Sequence, residues 1–455
     1  MKAFPRNIET HLKEWKHSSE RKPLIIRGAR QTGKTTTVLR FAQAYPQYIH
    51  ANLDRYEDLK LFETERPLSE LVDDLFFSRG LQQKKGTLIF IDEIQQSSRA
   101  IHLLRYFLED YPSYHIIATG SMLEQSLNAQ GGFPVGRVNY LYMHPVSFFE
   151  FLNALGEDAA ADMYQQVPLP AYAHDKMLSL FHRYAVLGGM PEAVRLYAES
   201  HDVGPTRSVY EDLIHAYSDD IRKYPVSESR KLVVQHVFNT MLFYPMQRVT
   251  FNGYGESNYG SAQVKEAFTL LEKAMLCKLE YPLTSTSLPL QPNLRKKPRL
   301  HMLDTGLSTH SLGVREEMLS LRDLTDSHKG ILAEHIVGQE LRAASLVNLN
   351  RERFWVREKK QSSAEVDYVI QFNGKLVPVE VKSGSTGRLR SLMQFLDMSD
   401  IDVAVRLYAG SFSKDTITTM KGKRALLLNI PYYHAAKIEE YLQQKMILYN
   451  CTLVL

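Results

Sequence analysis

Short apolar runs alternating with helix-patterned stretches predict an α/β chain built from several domains. Three observations carry this expectation. Leu24-Ile25-Ile26, Leu88-Ile89-Phe90-Ile91 and Ile116-Ile117-Ala118 have the length and near-continuous apolarity of strands buried on both faces. Helical patterning fills the intervals between them, as at Ala100 to Asp110, which is how a sheet acquires helices on both sides. At 455 residues the chain is also too long for one core.

Composition narrows the class without naming a function. The chain is 44% hydrophobic and 23% charged, as ordinary soluble globular proteins are. No apolar run approaches the roughly 18 residues of a membrane span, and residues 1–15 lack the apolar stretch of a secretory signal. Two cysteines, Cys277 and Cys451, supply neither a disulfide framework nor a cysteine-rich metal site. These features point to a reducing, cytoplasmic setting. A formal charge of +4 neither demands nor excludes a polyanionic partner.

The first informative element follows the first strand. Gly28-Ala29-Arg30-Gln31-Thr32-Gly33-Lys34-Thr35 has the spacing G-x-x-x-x-G-K-[ST], between strand-like Leu24 to Arg27 and helix-like Thr36 to Ala44. Glycines let such a loop curl so that backbone N–H groups and a helix N-terminus face phosphate oxygens. Lys34 then reaches the β- and γ-phosphates of ATP, and the Thr35 hydroxyl ligates Mg²⁺. A glycine turn that merely caps a helix is the plain alternative.

Thr87-Leu88-Ile89-Phe90-Ile91-Asp92-Glu93 is a buried strand ending in two carboxylates, a costly arrangement unless they have work to do. Asp92 completes the Mg²⁺ shell, and Glu93 polarises the attacking water, which favours hydrolysis over binding alone. In Thr119-Gly120-Ser121, after the next strand, Thr119 or Ser121 could sense the γ-phosphate, although turn chemistry accounts for the residues too. Arg137, after Gly136, is a candidate arginine finger for a neighbouring subunit, or else a structural surface arginine.

The order and spacing of these pieces resemble the AAA-like P-loop ATPases of bacteria and archaea, the AAA_14 type. The resemblance rests on Gly28 to Thr35, Ile91-Asp92-Glu93-Ile94-Gln95, Thr119-Gly120-Ser121, Gly136-Arg137 and Pro145-Val146-Ser147-Phe148-Phe149-Glu150. Gly188-Gly189-Met190-Pro191-Glu192 and Leu303-Asp304-Thr305-Gly306-Leu307 resemble the same family's C-terminal extension, a domain of unknown function, DUF4143. The resemblance implies ATP hydrolysis, a phosphate-binding segment running on to Thr36, and assembly into homo-oligomers such as rings.

Residues 145–225 read as helical and are expected to form a lid over the ATPase core at 1–144. In 226–312, the helical spacing of Val264, Ala267, Phe268, Leu271 and Met275 precedes strand-like Leu276 to Tyr281 and Arg299 to Leu303. Arg295-Lys296-Lys297 lies between those strands, as in a winged helix that binds DNA, but a small helical packing module with a solvated charge cluster fits equally. Gly313 to His328 reads as a linker, and the apolar tail Met446 to Leu455 as a docking strand.

The last unit, 329–455, carries the second chemical signal. Glu365 to Phe372 and Lys375 to Lys382 read as strands joined by Asn373-Gly374, the preferred pair for a two-residue hairpin turn. That turn pairs Phe372 with Lys375, and so sets Asp367 opposite Glu380 and Glu365 opposite Lys382, all on one face. Opposed like charges are unfavourable without a cation, a shared proton or solvent. Mg²⁺ or Mn²⁺ on Asp367 and Glu380, with Lys382 stabilising charge on a phosphate, is one answer. A wet sheet face with a Glu365–Lys382 ion pair is another. The pattern resembles the PD-(D/E)XK nuclease superfamily, whose folds often add a glutamate from a preceding helix. Glu334 stands where that glutamate is expected, and Gln394 follows on the next helix. Trp355 reads as sheet core rather than a base-stacking platform.

The whole reads as an α/β chain: a P-loop ATPase sheet, a helical lid, a winged helix or packing module, and a PD-(D/E)XK-like α/β domain. The leading expectation is an ATPase whose turnover is coupled to metal-dependent cleavage or remodelling of DNA. The alternative is a nucleotide-dependent switch whose C-terminal domain binds a partner without cutting. A third reading keeps DNA binding and drops cleavage.

Overall fold

The computed structural model describes residues 4–121, 136–223, 227–320, 327–347, 353–359, 362–382 and 389–444. The expected strand at Met446 to Leu455 lies outside them. The described residues fall into two compact units, one of residues 1–144 with 273–275 and 346–348, the other of the remainder.

The first unit contains helices α1 (Ile8–His17), α2 (Lys34–Ala42), α3 (Tyr56–Glu63), α4 (Leu68–Phe77) and α5 (Ser98–Asp110). Its strands β1 (Leu24–Arg27), β2 (Tyr48–Asn52), β3 (Leu88–Asp92), β4 (His115–Gly120) and β5 (Asn139–Tyr142) make a parallel sheet in the order β2-β3-β4-β1-β5. The apolar runs read as strands are these strands. Side-chain alternation explains why they are apolar throughout. Ile25, Ile89, Ile91 and Ile116 pack on one face with Phe62, Leu71, Leu75 and Leu104. Leu24, Ile26, Leu88, Phe90 and Ile117 pack on the other with Leu12, Val38 and Phe41.

The second unit begins with α6 (Phe148–Ala154), α7 (Asp158–Tyr164), α8 (His174–Leu187), α9 (Pro191–Ser200) and α10 (Thr206–Ile221). Then come α11 (Glu228–Met241), α12 (Ser261–Lys273) and the antiparallel pair β6 (Cys277–Glu280) and β7 (Arg299–Met302). The helix, strand, loop, strand order read from the sequence is therefore present. Its basic loop is less free than expected, because Lys296 Nζ lies 2.5 Å from Glu358. Helix α13 (Thr305–Ser311) ends just before the stretch read as a linker, and α14 (Arg315–Ser320) occupies part of it.

Helix α15 (Ser327–Ala343) leads into the C-terminal strands: β8 (Trp355–Lys359), β9 (Ser362–Val366), β10 (Tyr368–Phe372), β11 (Lys375–Val381), β12 (Val403–Tyr408), β13 (Ser413–Thr418) and β14 (Arg424–Pro431). Helix α16 (Arg390–Asp397) connects β11 to β12. Five of the strands form a mixed sheet, β10-β11-β12-β14-β13, and β8 pairs with β9 apart from it. Trp355 is fully buried against Phe395, as core.

Two signature stretches have plain structural causes. Ser147 and Glu150 form a reciprocal capping box on α6, which accounts for the Ser-Phe-x-Glu spacing. Buried Glu340 accepts from the next N–H, Phe148, at 2.9 Å and from Tyr184 Oη at 2.8 Å. Asp304, fully buried at the start of α13, accepts from Gly189 N at 2.5 Å, Gly306 N at 2.9 Å, Tyr210 Oη at 3.1 Å and Gln339 Nε2 at 3.2 Å. One carboxylate thus clasps both glycine-bearing stretches. A Cβ on Gly306 would stand 2.1 Å from Tyr210 Oη, so no larger residue fits there.

Candidate functional site

Ligands of parallel sheets settle outside the carboxyl ends of the strands, where the chain turns from β1 into α2. Gly28 has no room for a side chain, since a Cβ would stand 2.5 Å from the Met143 carbonyl oxygen. Gln31 (φ 63°) and Gly33 (φ 94°) take left-handed backbone, the conformation that coils a loop into an anion cradle. Ala29 and Thr32 are buried, and the Thr32 hydroxyl donates to Ala29 O at 2.9 Å. Arg30 is half-buried, while Gln31 and Thr36 are exposed.

Lys34 Nζ donates to the carbonyls of Gly28 and Ala29 at 2.9 and 2.8 Å, so the loop's own backbone holds the ammonium. Burial pushes its pKa down to about 8, against the opposing pull of Glu93 and Asp92. A phosphate, a stronger acceptor than a peptide carbonyl, offers this ammonium a better partner.

Asp92 ends β3, beside the loop. Thr35 Oγ1 donates to its Oδ2 at 2.9 Å, Thr119 Oγ1 donates to its Oδ1, and His50 Nε2 lies 3.5 Å from Oδ2. Burial works against the Asp92 anion, but nearby His50 and the hydrogen bonds from Thr119 and Thr35 outweigh it and hold the pKa below its usual value. The Thr35 and Asp92 oxygens are the hard donors a Mg²⁺ shell takes, so the residues fit that ion. Glu93 follows in left-handed backbone (φ 53°), with Gln95 Nε2 donating to it at 2.5 Å. Burial raises its pKa, against that hydrogen bond and nearby Lys34.

The two sensor candidates separate. Thr119 is engaged with Asp92. Ser121 follows Gly120, the parallel partner of Arg27, and is buried with no hydrogen-bond partner for its hydroxyl among the described residues. Arg137 lies away from this loop. It precedes β5, at the amino-terminal edge of the sheet, and pairs with Glu109 at 3.0 Å with its side chain 52% exposed.

Sequence reasoning missed Arg6 and His50. Arg6 is buried and donates to Thr32 O at 2.9 Å and His144 O at 2.8 Å, bracing the phosphate loop from outside. His50 stacks on Phe90, centroids 4.8 Å apart. Neither residue belongs to a motif. The alternating burial of β2 points to an inward or outward side chain, not to its partner.

In the second unit the hairpin forms with the expected register, from Phe372↔Lys375 to Tyr368↔Val379, around left-handed Asn373 (φ 46°) and Gly374 (φ 73°). The ladder then stops. Asp367 bends the chain, and β9 pairs with β8, setting Glu365 opposite Val356 rather than Lys382. Arg299, on β7, meets the chain at this bend: its guanidinium donates to Asp367 O at 2.9 Å and pairs with Glu365.

Asp367 nonetheless stays with its expected neighbours. Its Oδ2 accepts from Val381 N at 2.8 Å, while Lys382 Nζ donates to Glu380 Oε1 at 2.6 Å. Glu334, on α15, interacts electrostatically with Asp367 and Glu380. Burial, then Asp367, raises the pKa of both Glu334 and Glu380. Burial also raises that of Asp367, against Arg299, the Val381 N–H and Lys382. Lys382 is raised instead, since Glu380, Asp367 and Glu334 overcome its own burial. Glu380 Oε2 is buried and has no hydrogen-bond partner among the described residues, so a hard cation would find one open donor. Even so, no group of three or more His, Cys, Asp or Glu side chains stands ready to hold a metal among the described residues. Gln394 is half-buried on α16.

Comparison with known proteins follows this division. Residues 20–152 match the family model of an AAA domain (AAA_14), residues 178–318 a domain of unknown function (DUF8612), and residues 329–431 another (DUF4143). The stretches at 188–192 and 303–307 lie within the second of these matches. No curated protein matches. Among solved structures, a Walker-type ATPase of Pyrococcus abyssi (paby2304) is 16% identical, with 68% of this chain and 96% of that one covered at a TM-score of 0.45. PCH-2 of C. elegans is 14% identical, with 42% and 60% covered at a TM-score of 0.26. No helix among the described residues is long and apolar enough to cross a membrane.

Proposed function

Because the chain is an AAA-type P-loop ATPase with a DUF4143 region, we propose that it couples ATP hydrolysis to metal-dependent cleavage or remodelling of DNA. The observation that carries this reading is the meeting of Glu334, Asp367, Glu380 and Lys382 around one end of β11.

At the nucleotide site, the backbone from Gly28 to Gly33 holds phosphates and Lys34 contacts the β- and γ-phosphates. Thr35 and Asp92 would hold Mg²⁺, which when bound neutralises phosphate charge. Glu93 polarises water, its raised pKa matching a proton acceptor poised nearer neutrality. Ser121 reads the γ-phosphate. Arg137, half-exposed and paired with Glu109, serves a neighbouring subunit in a ring. At the second site Glu334, Asp367 and Glu380 would hold Mg²⁺ or Mn²⁺, which supplies a Lewis acid and an activated water. Lys382 stabilises charge on the scissile phosphate.

ATPase and nicking assays across linear, branched and single-stranded DNA test the reading. DNA should stimulate ATP turnover. Mn²⁺-dependent nicking should vanish in Asp367→Ala and survive in Lys34→Ala. Nicking that persists in Asp367→Ala rejects this site as its source.

A second reading, a nucleotide-dependent switch that binds a partner without cutting, is favoured by one observation. Arg299 and Lys382 already engage the carboxylates, and no ready metal cluster stands among the described residues. ATP turnover indifferent to every nucleic acid supports that reading.

A further inference from the structure

The C-terminal carboxylate site draws one of its cations from outside its own sheet. Arg299 belongs to β7, 68 residues before Asp367, and its side chain is 2% exposed. Nη1 donates to Asp367 O at 2.9 Å, while Nη2 pairs with Glu365 and lies 3.9 Å from Asp367 Oδ1. The Phe354 ring, 4.5 Å from the guanidinium carbon, closes one side. Arg248, 2.5 Å from Glu358 and 3.8 Å from Glu365, and Lys296, 2.5 Å from Glu358, fasten the same segment to the β8–β9 hairpin. The segment between α11 and β7 is therefore clamped by its basic side chains onto the edge of the acidic site.

A buried guanidinium beside several carboxylates does electrostatically what a metal ion would do. Glu334, Glu365, Asp367 and Glu380 bring four carboxyl groups together, and Arg299 and Lys382 provide two cations beside them. We propose that Arg299 is a tethered counter-cation of this site, so that a divalent ion entering among the carboxylates competes with the guanidinium. The proposal rests on the reading of these carboxylates as a metal site. It makes the segment carrying β7 a built-in restraint: the site is muted while Arg299 is seated, and gains metal affinity when that strand shifts.

The test is Mn²⁺ calorimetry on the full chain without nucleotide, with Asp367→Ala identifying the heat that belongs to this site. Arg299→Gln keeps a donor for the Asp367 carbonyl and drops the charge. It should bind Mn²⁺ roughly tenfold or more tightly than the parent, because a charge a few ångströms away acts strongly in a buried site. Arg299→Lys, which keeps the charge, should stay within roughly threefold of the parent on the same argument. Equal or weaker binding by Arg299→Gln overturns the proposal. Should that variant not fold alone, recovery of a cooperative melt on adding Mn²⁺ supports the proposal, and no recovery overturns it. If neither parent nor variant binds Mn²⁺, the metal-site reading fails as well. If the parent binds and the variant gains nothing, only the role of Arg299 is lost.

Discussion

Replacing Asp304 by alanine should cost the second unit about 4 kcal/mol, a figure that follows from counting its donors. Asp304 is fully buried and accepts from Gly189 N, Gly306 N, Tyr210 Oη and Gln339 Nε2. Two of these donors have another acceptor, since Tyr210 Oη also reaches Leu187 O at 2.6 Å and Gln339 Nε2 reaches Tyr184 Oη at 3.2 Å. The two glycine N–H groups would be left without any, and each buried orphan costs roughly 1–3 kcal/mol. The void left by the side chain adds to this, while removal of a buried carboxyl, whose pKa desolvation raises, gives part of it back. Domains unfold with only about 5–15 kcal/mol in total. Trp15 lies in the first unit and Trp355 in the second, so Trp355 fluorescence in a Trp15→Phe background reports the relevant transition. Urea unfolding of Asp304→Ala read this way should shift by that amount. A loss below about 1 kcal/mol would refute the clasp, because it would mean that the glycine N–H groups find other partners.

Two further outcomes follow from buried groups. Arg6→Met removes two hydrogen bonds to the phosphate loop and to His144 O, and should raise the KM for ATP about tenfold with a smaller change in kcat. Steady-state kinetics identical to the parent would show that Arg6 does not shape the loop. Burial pushes the Glu340 carboxyl up to about 7, against the hydrogen bonds from Tyr184 and Phe148 N. The folded chain therefore binds a proton that the unfolded chain has lost, and stability falls as pH rises between about 4.5 and about 7. Full ionisation costs about 3 kcal/mol. Glu340→Gln should flatten that slope, seen as a smaller difference between melts at pH 5 and pH 8, and an unchanged slope assigns it to other groups.

Local rules made much of the chain legible. The loop from Gly28 to Thr35 announces itself by spacing and by the strand before it, and the Asn373-Gly374 turn dictates its own register. Both depend on neighbours in sequence. What failed depended on distant residues. The bend at Asp367 is bonded to a guanidinium 68 positions earlier, and the freedom expected of Lys296 was lost to Glu358, 62 positions later. Arg6 reaches His144 across 138 positions, beyond the range of any periodicity. The glycine stretches at 188–192 and 303–307 were readable only as a resemblance. Their cause, one carboxylate shared between them, appears once the chain is folded.

Glu93 carries its side chain on backbone turned to φ 53°, a geometry that glycine adopts without strain and other residues adopt at a cost of order 1–3 kcal/mol. A library of variants screened for heat resistance alone would accordingly drift toward glycine at this position. The winners would be sturdier and would lack the acid proposed to activate water. Ruggedness and turnover pull in opposite directions at this single peptide unit, so such a screen needs ATP consumption as a parallel criterion.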